Sequence, residues 1–184
     1  MTSDERLGRE ERDSTACGRA AGPRATSGSV SALSEAVRTR VGLLAVRFPT
    51  KRAALLPALW VVQETEGWIS GEALAEVAAT LDVAPADAEG VASFYFLFSR
   101  RPTGRRVIDV CDNLVCGANG GARLLADLCA RLGIAPGETT ADGRFTVRRQ
   151  ECIAACDQAP AVQVDLEYRG PVASADALLA ELDS

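Results

Sequence analysis

Apolar residues recur at helical spacing through residues 33–98, and this periodicity predicts a helical segment. Leu55 and Leu59 share one face of the most apolar helix, and Gly67 follows that helix as a C-terminal stop. Because a proline ring disrupts the interior of a helix, we expect this helix to begin at Pro57 and not earlier.

Two further helices are predicted within the same segment. Ser70 has the short hydroxyl side chain that caps a helix N-terminus, and Leu74 and Val77 continue an apolar face behind it. Pro85 suits the first turn of the next helix. That helix leads into the aromatic stretch 94–98, whose side chains we expect to lie mostly in the core.

The pattern changes after residue 101, where short β-branched and alternating runs replace the helical periodicity. Three strands are predicted, at 106–110, 145–148 and 161–166. Two helices are predicted, one that opens at Gly120-Gly121 and stops at Gly133 and one at 176–181. This β-α-β-β-α order suggests a small α/β domain of the thioredoxin-like class, a mixed sheet with flanking helices.

The composition divides the chain into three expected regions. They are a disordered extension at 1–30, an N-terminal helical domain at 31–101 and the thioredoxin-like domain at 102–184. The extension is rich in charged and small residues and has almost no large apolar ones, which is typical of disorder. It contains no apolar stretch resembling an export signal, so we expect a cytoplasmic protein with reduced cysteines.

Charge and residue types exclude several classes of function. The 184 residues contain 20 basic and 25 acidic side chains, and a net charge of −5 disfavours a nucleic-acid binder. No apolar run approaches the roughly 20 residues that span a membrane, so no direct membrane insertion is expected. The absence of histidine excludes Ser-His and Cys-His catalysis and every histidine-containing metal site.

Four of the six cysteines form two closely spaced pairs. Four residues separate Cys111 from Cys116, and three separate Cys152 from Cys156. Each pair follows a predicted strand. If those strands are parallel neighbours, both pairs emerge at the edge where open α/β sheets bind ligands. Of the remaining two, we expect Cys129 to be a small core residue on its helix, whereas Cys17 falls in the extension.

Four thiolates at one point suit either a 2Fe–2S cluster or a structural zinc ion. Under the zinc hypothesis, the ion would stabilise the fold of an interaction module that has no redox role. A third hypothesis, a thiol–disulfide enzyme, lacks the Cys-x-x-Cys motif that tunes a reactive thiolate. The sequence also has neither a Gly-x-Gly-x-x-Gly motif after a strand nor a P-loop, the signals of nucleotide binding.

Residues around the paired cysteines have expected roles of their own. Gly117, Gly120 and Gly121 suit a close backbone approach to a bulky anion, and Pro160 fixes the second loop. A cluster with four thiolates carries a charge of −2 when oxidised and −3 when reduced. Its potential is therefore lowered by acidic neighbours. Those neighbours are Asp112, Glu151 and Asp157.

The motifs resemble a known family. The segments CDNLVCGANG at 111–120 and ECIAACDQAP at 151–160 resemble the two cluster loops of the thioredoxin-like 2Fe–2S ferredoxins. Upstream, LLPALWVVQE, GWIS and GVASFY resemble the helical part of one branch of that family. This branch is the E subunit of bacterial NADH–quinone oxidoreductase (complex I), with the equivalent subunits of NAD-linked hydrogenases and formate dehydrogenases. The resemblance covers residues 40–182.

The resemblance implies an electron-transfer role. Cys111, Cys116, Cys152 and Cys156 would hold one 2Fe–2S cluster, which takes an electron from FMN on a partner flavoprotein that binds NADH. That partner resembles the F subunit of complex I, and the large multi-cluster subunit is a further partner. FMN and NADH are expected only on the partner, so the isolated chain would not be catalytic. The complex would lie in the cytoplasm, at the cytoplasmic face of the inner membrane.

One position departs from the family pattern. The family has glycine where this chain has Ala154, between the cysteines of the second pair. Because a Cβ atom disfavours the left-handed region, we expect a negative φ at Ala154.

Overall fold

The computed structural model describes residues 33–183. The expected extension at 1–30, including Cys17, lies outside these residues. The described chain forms two compact units, one of residues 33–107 and 141–146 and one of residues 108–140 and 147–183. The domain boundary at residue 101 remains a prediction.

The first unit is helical. Its helices are α1 (Glu35–Arg47), α2 (Leu55–Glu66), α3 (Gly71–Thr80) and α4 (Pro85–Phe94), with a 3-10 turn at Lys51–Ala54. The hydroxyl of Ser70 accepts the backbone N–H of Ala73 at 3.0 Å, which confirms it as the N-cap of α3. Gly67 ends α2 in the left-handed conformation, with φ +78°, as its sequence position predicted.

Two expectations for this unit are wrong. Helix α2 begins at Leu55, so Pro57 lies in its first turn, where the backbone N–H groups need no intrahelical partner. The aromatic stretch is also less buried than expected. Phe98 is buried, but Phe94, Tyr95 and Phe96 are exposed because α4 ends at Phe94 and the chain turns there.

The core of the helical unit is aliphatic. Fully buried leucine and valine side chains from α1, α2 and α3 contact one another at its centre. Those with no exposed surface are Val41, Leu59, Val62 and Val77. Packing of these faces, more than intrinsic helix propensity, stabilises helices of 10 to 13 residues.

A mixed four-stranded sheet with flanking helices, most of it in the second unit, confirms the predicted thioredoxin-like fold class. Its strands are β1 (Arg106–Cys111), β2 (Phe145–Gln150), β3 (Val162–Val164) and β4 (Glu167–Arg169), in the spatial order β2-β1-β3-β4. β3 pairs with both β1 and β4 in antiparallel fashion. The strand expected at 161–166 ends early, because Asp165 and Leu166 form the turn of a β3–β4 hairpin.

The two strands that precede the cysteine pairs are parallel. Their hydrogen bonds run from Arg106 N to Arg144 O and from Asp112 N to Gln150 O, at a constant offset of 38 residues. A constant offset is the register of a parallel pair. The condition that would bring both cysteine pairs to one sheet edge is therefore met.

Three helices complete the second unit. They are α5 (Leu114–Ala118), α6 (Gly121–Leu132) and α7 (Ala175–Asp183). Gly133 ends α6 with φ +66°, as predicted. Cys129 lies on α6 and is buried, in agreement with a core role. Among residues 33–183, no helix is both long enough and apolar enough to cross a membrane.

Candidate metal centre

The two cysteine pairs lie on loops that follow neighbouring parallel strands. β1 ends at Cys111, and β2 ends at Gln150, two residues before Cys152. We call residues 111–116 the first loop and residues 152–156 the second loop. Because β1 and β2 are parallel, both loops leave the same edge of the sheet, the place where open α/β sheets bind ligands.

A short helix folds the first loop. The side-chain oxygen of Asn113 accepts the backbone N–H of Leu114 at 2.6 Å and caps α5. Cys116 lies on this helix and is 1% exposed, whereas Cys111 lies at the end of β1 and is 3% exposed. Helix α5 was not predicted from the sequence. Its signal was Asn113, a residue type that caps helices.

Close backbone contacts hold the first loop against the start of α6. A Cβ atom on Gly121 would lie 2.9 Å from the carbonyl oxygen of Cys116 and closer still to that of Cys111. A Cβ atom on Gly117 would lie 3.0 Å from the carbonyl oxygen of Asp112. These two glycines were expected to admit a bulky anion. The groups that they approach in the structure are carbonyls of the first loop itself.

The second loop alternates between exposed and buried positions. Cys152, Ala154 and Cys156 are exposed, whereas Ile153 and Ala155 are buried. The two buried residues belong to one apolar cluster with the cysteines of the first loop and Ala161. The apolar side chains therefore anchor the second loop, and its two thiols face outward.

Ala154 does not adopt the negative φ that was expected. Its φ is +60°, in the left-handed region that glycine occupies without cost. An alanine in this region costs about 1–2 kcal/mol, because its Cβ atom approaches the following carbonyl oxygen. At this position the second loop therefore has a backbone conformation that favours glycine, although the residue is alanine.

Three of the four thiols interact. Burial raises the pKa of the Cys116 thiol above its ordinary value, and contact with the Cys111 side chain and the charge of Cys156 raise it further. A hydrogen bond with the backbone of Ala161 opposes this shift in the pKa. The fourth thiol, Cys152, is exposed on the second loop. Cys116 therefore has one neighbour in its own loop, Cys111, and one in the second loop, Cys156.

An ion pair neutralises the acidic residue of the first loop. The guanidinium Nε of Arg149 lies 2.6 Å from a carboxylate oxygen of Asp112, whose side chain is only 9% exposed. Glu151 and Asp157, the other acidic residues expected to affect a cluster, are exposed. From the sequence, Asp112 was expected to be a negative neighbour of a cluster, and its partner Arg149, three residues before Cys152, was not identified.

The donor set fits a cluster that takes its ligands in pairs. Thiolates are the ligands of 2Fe–2S clusters, with two on each iron. Each loop offers one pair, and buried apolar side chains lie beneath both loops. Within residues 33–183, no group of three cysteine or acidic side chains is placed to hold a single metal ion.

Comparison with known proteins gives one family. A model of the thioredoxin-like [2Fe-2S] ferredoxin family matches residues 43–182. The second E subunit of NADH-quinone oxidoreductase from Rhizobium meliloti is 41% identical over 145 residues, covering 78% of this chain and 86% of the relative. The NADH-quinone oxidoreductase E subunit of Pseudomonas aeruginosa is 39% identical over 140 residues, covering 76% and 84%.

A solved structure is similar as well. The crystal structure of an NAD+-reducing [NiFe]-hydrogenase in the H2-reduced state matches 70% of this chain with a TM-score of 0.59 and 33% sequence identity. The chain spans only 22% of the length of that hydrogenase chain.

Proposed function

This chain belongs to the thioredoxin-like [2Fe-2S] ferredoxin family, and from that premise we propose that it is the electron-transfer subunit of an NADH-oxidising complex. Cys111 and Cys116 of the first loop, with Cys152 and Cys156 of the second, would hold its single cluster. When bound, such a cluster accepts and releases one electron at a time.

The observation that carries this proposal is the arrangement of the two loops. Parallel strands deliver both cysteine pairs to one sheet edge, and the apolar residues beneath them belong to one cluster. A buried thiol pair on one side and an exposed pair on the other suit an electron carrier. The buried side excludes water, and the exposed side leaves a short path to a partner.

We propose a flavoprotein subunit that binds FMN and NADH as the electron donor. Two relatives named as subunits of NADH-quinone oxidoreductase have 86% and 84% of their lengths matched by this chain. A quinone-reducing complex is thus the main proposal, with the multi-cluster subunit as a second neighbour. We place it at the cytoplasmic face of the membrane. The chain itself would bind neither nucleotide and would not be catalytic alone.

The hydrogenase match supports a second parent complex. That protein is named as an NAD+-reducing hydrogenase, and the matched part of it shares the fold of this chain at 33% sequence identity. An equivalent subunit of an NAD-linked hydrogenase or formate dehydrogenase would use the same loops. The parent complex is decided by which protein co-purifies, because the cluster chemistry is common to all of them.

The first test is metal and sulfide analysis of the full chain purified without oxygen. We expect two irons and two acid-labile sulfides per chain and a visible spectrum that dithionite bleaches. Cys116→Ser and Cys152→Ser should each lose most of this iron, whereas Cys129→Ala, a buried cysteine on α6, should keep it. One zinc per chain without iron, even after reconstitution, would contradict the proposal.

A further inference from the structure

Two ion pairs join β1 to β2 directly beside the cysteine loops. Asp109 is 1% exposed and accepts two hydrogen bonds from Arg148, at 2.6 and 2.7 Å. Asp112 forms an ion pair with Arg149, whose Nε lies 2.6 Å from a carboxylate oxygen. Both acids lie within two residues of Cys111. Both arginines lie at the end of the strand that leads to the other loop. A two-pronged arginine–carboxylate pair such as Arg148–Asp109 fixes geometry as well as contributing energy.

The two pairs differ in exposure. Arg148 is 19% exposed and makes a two-pronged contact with a fully buried carboxylate, so this pair is part of the interior. Arg149 is 66% exposed, and only its partner, Asp112, is shielded. Losing one member of a buried pair is strongly destabilising, whereas an exposed arginine can be replaced with little effect on folding. The outer pair can therefore be tested without unfolding the protein.

Three contacts tie the first loop to the end of β2, and they respond differently when a cluster binds. The backbone N–H of Asp112 donates to Gln150 at 3.1 Å, and the Cys111 thiol donates to the carbonyl of Glu151 at 3.5 Å. A thiolate that ligates iron has no proton to donate, so the thiol contact ends on loading. The Arg149–Asp112 ion pair does not depend on that proton and remains.

We propose that Arg149 is a positioning residue for the cluster, holding the first loop to the strand of the second and neutralising Asp112 beside the first ligand. This inference rests on the proposed function of the four cysteines. Asp112 alone would place a negative charge next to a cluster of charge −2 or −3. Arg149 cancels that charge at a side-chain distance of 2.6 Å.

The electrostatic part of the proposal has a defined sign. Removing the positive charge of Arg149 leaves Asp112 uncompensated, so adding an electron becomes harder and the midpoint potential falls. Removing the negative charge of Asp112 makes the potential rise. A purely structural role would loosen the cluster in both variants but would not move the potential in opposite directions.

The experiment compares full-length, cluster-loaded chains with single and double substitutions of this pair. Arg149→Gln and Asp112→Asn should each lose iron to a chelator about threefold to tenfold faster than wild type. The one-electron reduction constant should fall about threefold to tenfold in Arg149→Gln, or roughly 30 to 60 mV at 59 mV per tenfold, and rise in Asp112→Asn. The double variant should return towards the wild-type potential, and Arg149→Lys should retain it.

The matched control is Arg131→Gln, which removes an exposed arginine from an ion pair with Asp176 in the same unit. Arg149→Gln with a potential and an iron-release rate equal to those of Arg131→Gln would overturn the inference, as would shifts of the same sign in Arg149→Gln and Asp112→Asn. A wild-type chain that holds no iron and sulfide after reconstitution would instead contradict the proposed function, and this inference with it.

Discussion

The two cysteine loops each carry a closely spaced pair of thiols but have different environments. The first loop buries both of its thiols, at 3% and 1% exposure, whereas the second exposes both of its own. The first loop contains a capped helix and is packed against α6, and the second is anchored by the buried side chains of Ile153 and Ala155. One loop is thus shaped by its own chain before any cofactor arrives. The other stays accessible to a cluster and to a partner protein.

This difference separates two requirements of an electron carrier. A buried thiol pair needs a dry and rigid setting, and close backbone packing provides it. An exposed pair keeps the electron path to a partner short. We therefore expect substitutions in the first loop to affect folding as much as loading, and substitutions in the second loop to affect loading more than folding.

The largest expected effect comes from Gly121→Ala at the base of the first loop. The added Cβ atom would meet backbone carbonyls of Cys116 and Cys111, and backbone atoms cannot move aside as a flexible side chain can. We expect the apo protein to lose about 3 kcal/mol of unfolding free energy, at the upper end of overpacking. Urea denaturation of the apo chain measures this loss.

Gly90→Ala is the matched control for that substitution. A Cβ atom on Gly90, in helix α4, meets nothing within 4 Å, and alanine is the better helix former. It should leave stability unchanged or raise it slightly. Equal stability of Gly121→Ala and Gly90→Ala would show that the first loop is not fixed by this contact.

The next effect is a difference in thiol reactivity in the apo protein. The thiolate is the reactive form, and burial raises the pKa of Cys116, so this thiol should be alkylated at least about tenfold more slowly than the exposed Cys152 and Cys156 near pH 7.5. Its rate should keep rising at a pH above the ordinary cysteine pKa of about 8.5. Mass spectrometry of peptides after timed iodoacetamide treatment would measure each rate.

The same pKa shift has a consequence for stability. A thiol with a pKa raised in the folded state favours folding below the unfolded pKa, and this contribution is lost as the pH rises through the folded pKa. The apo protein should therefore become less stable at alkaline pH through Cys116. Alkylation of Cys116 as fast as that of Cys152 would contradict the burial that separates the two loops.

The loop comparison also marks what the sequence could predict. Spacing and strand-end position predicted both pairs at one sheet edge on the condition that the two strands are parallel neighbours, and the register of β1 and β2 meets that condition. Helix limits at Ser70, Gly67 and Gly133 followed from capping chemistry. The four-residue and three-residue spacings gave no sign that one pair would be buried and the other exposed. Burial depends on which residues of distant segments pack beneath each loop.

Other misses have the same physical origin. The Arg149–Asp112 ion pair joins residues 37 apart in sequence and depends on the β1–β2 register. The exposure of Phe94 and Phe96 depends on where α4 ends, and apolar character alone suggested a core position. Local chemistry was readable from the sequence, whereas partners across the fold were not.

The smallest effect concerns Ala154, and it has the opposite sign to the glycine substitution in the first loop. Ala154→Gly removes the Cβ atom from a residue with φ +60°, which relieves about 1–2 kcal/mol, but the glycine adds unfolded-chain entropy worth about 0.4–1 kcal/mol. We expect a net gain of about 1 kcal/mol or less in unfolding free energy.

The control is Ala173→Gly. Ala173 is an exposed loop alanine whose φ is not positive, so the added glycine changes only the entropy of the unfolded chain and should lower stability. Parallel urea titrations of the two variants measure both signs. Equal losses of stability would show that Ala154 is not held in the left-handed conformation in solution. The backbone between Cys152 and Cys156 would then have a negative φ at Ala154.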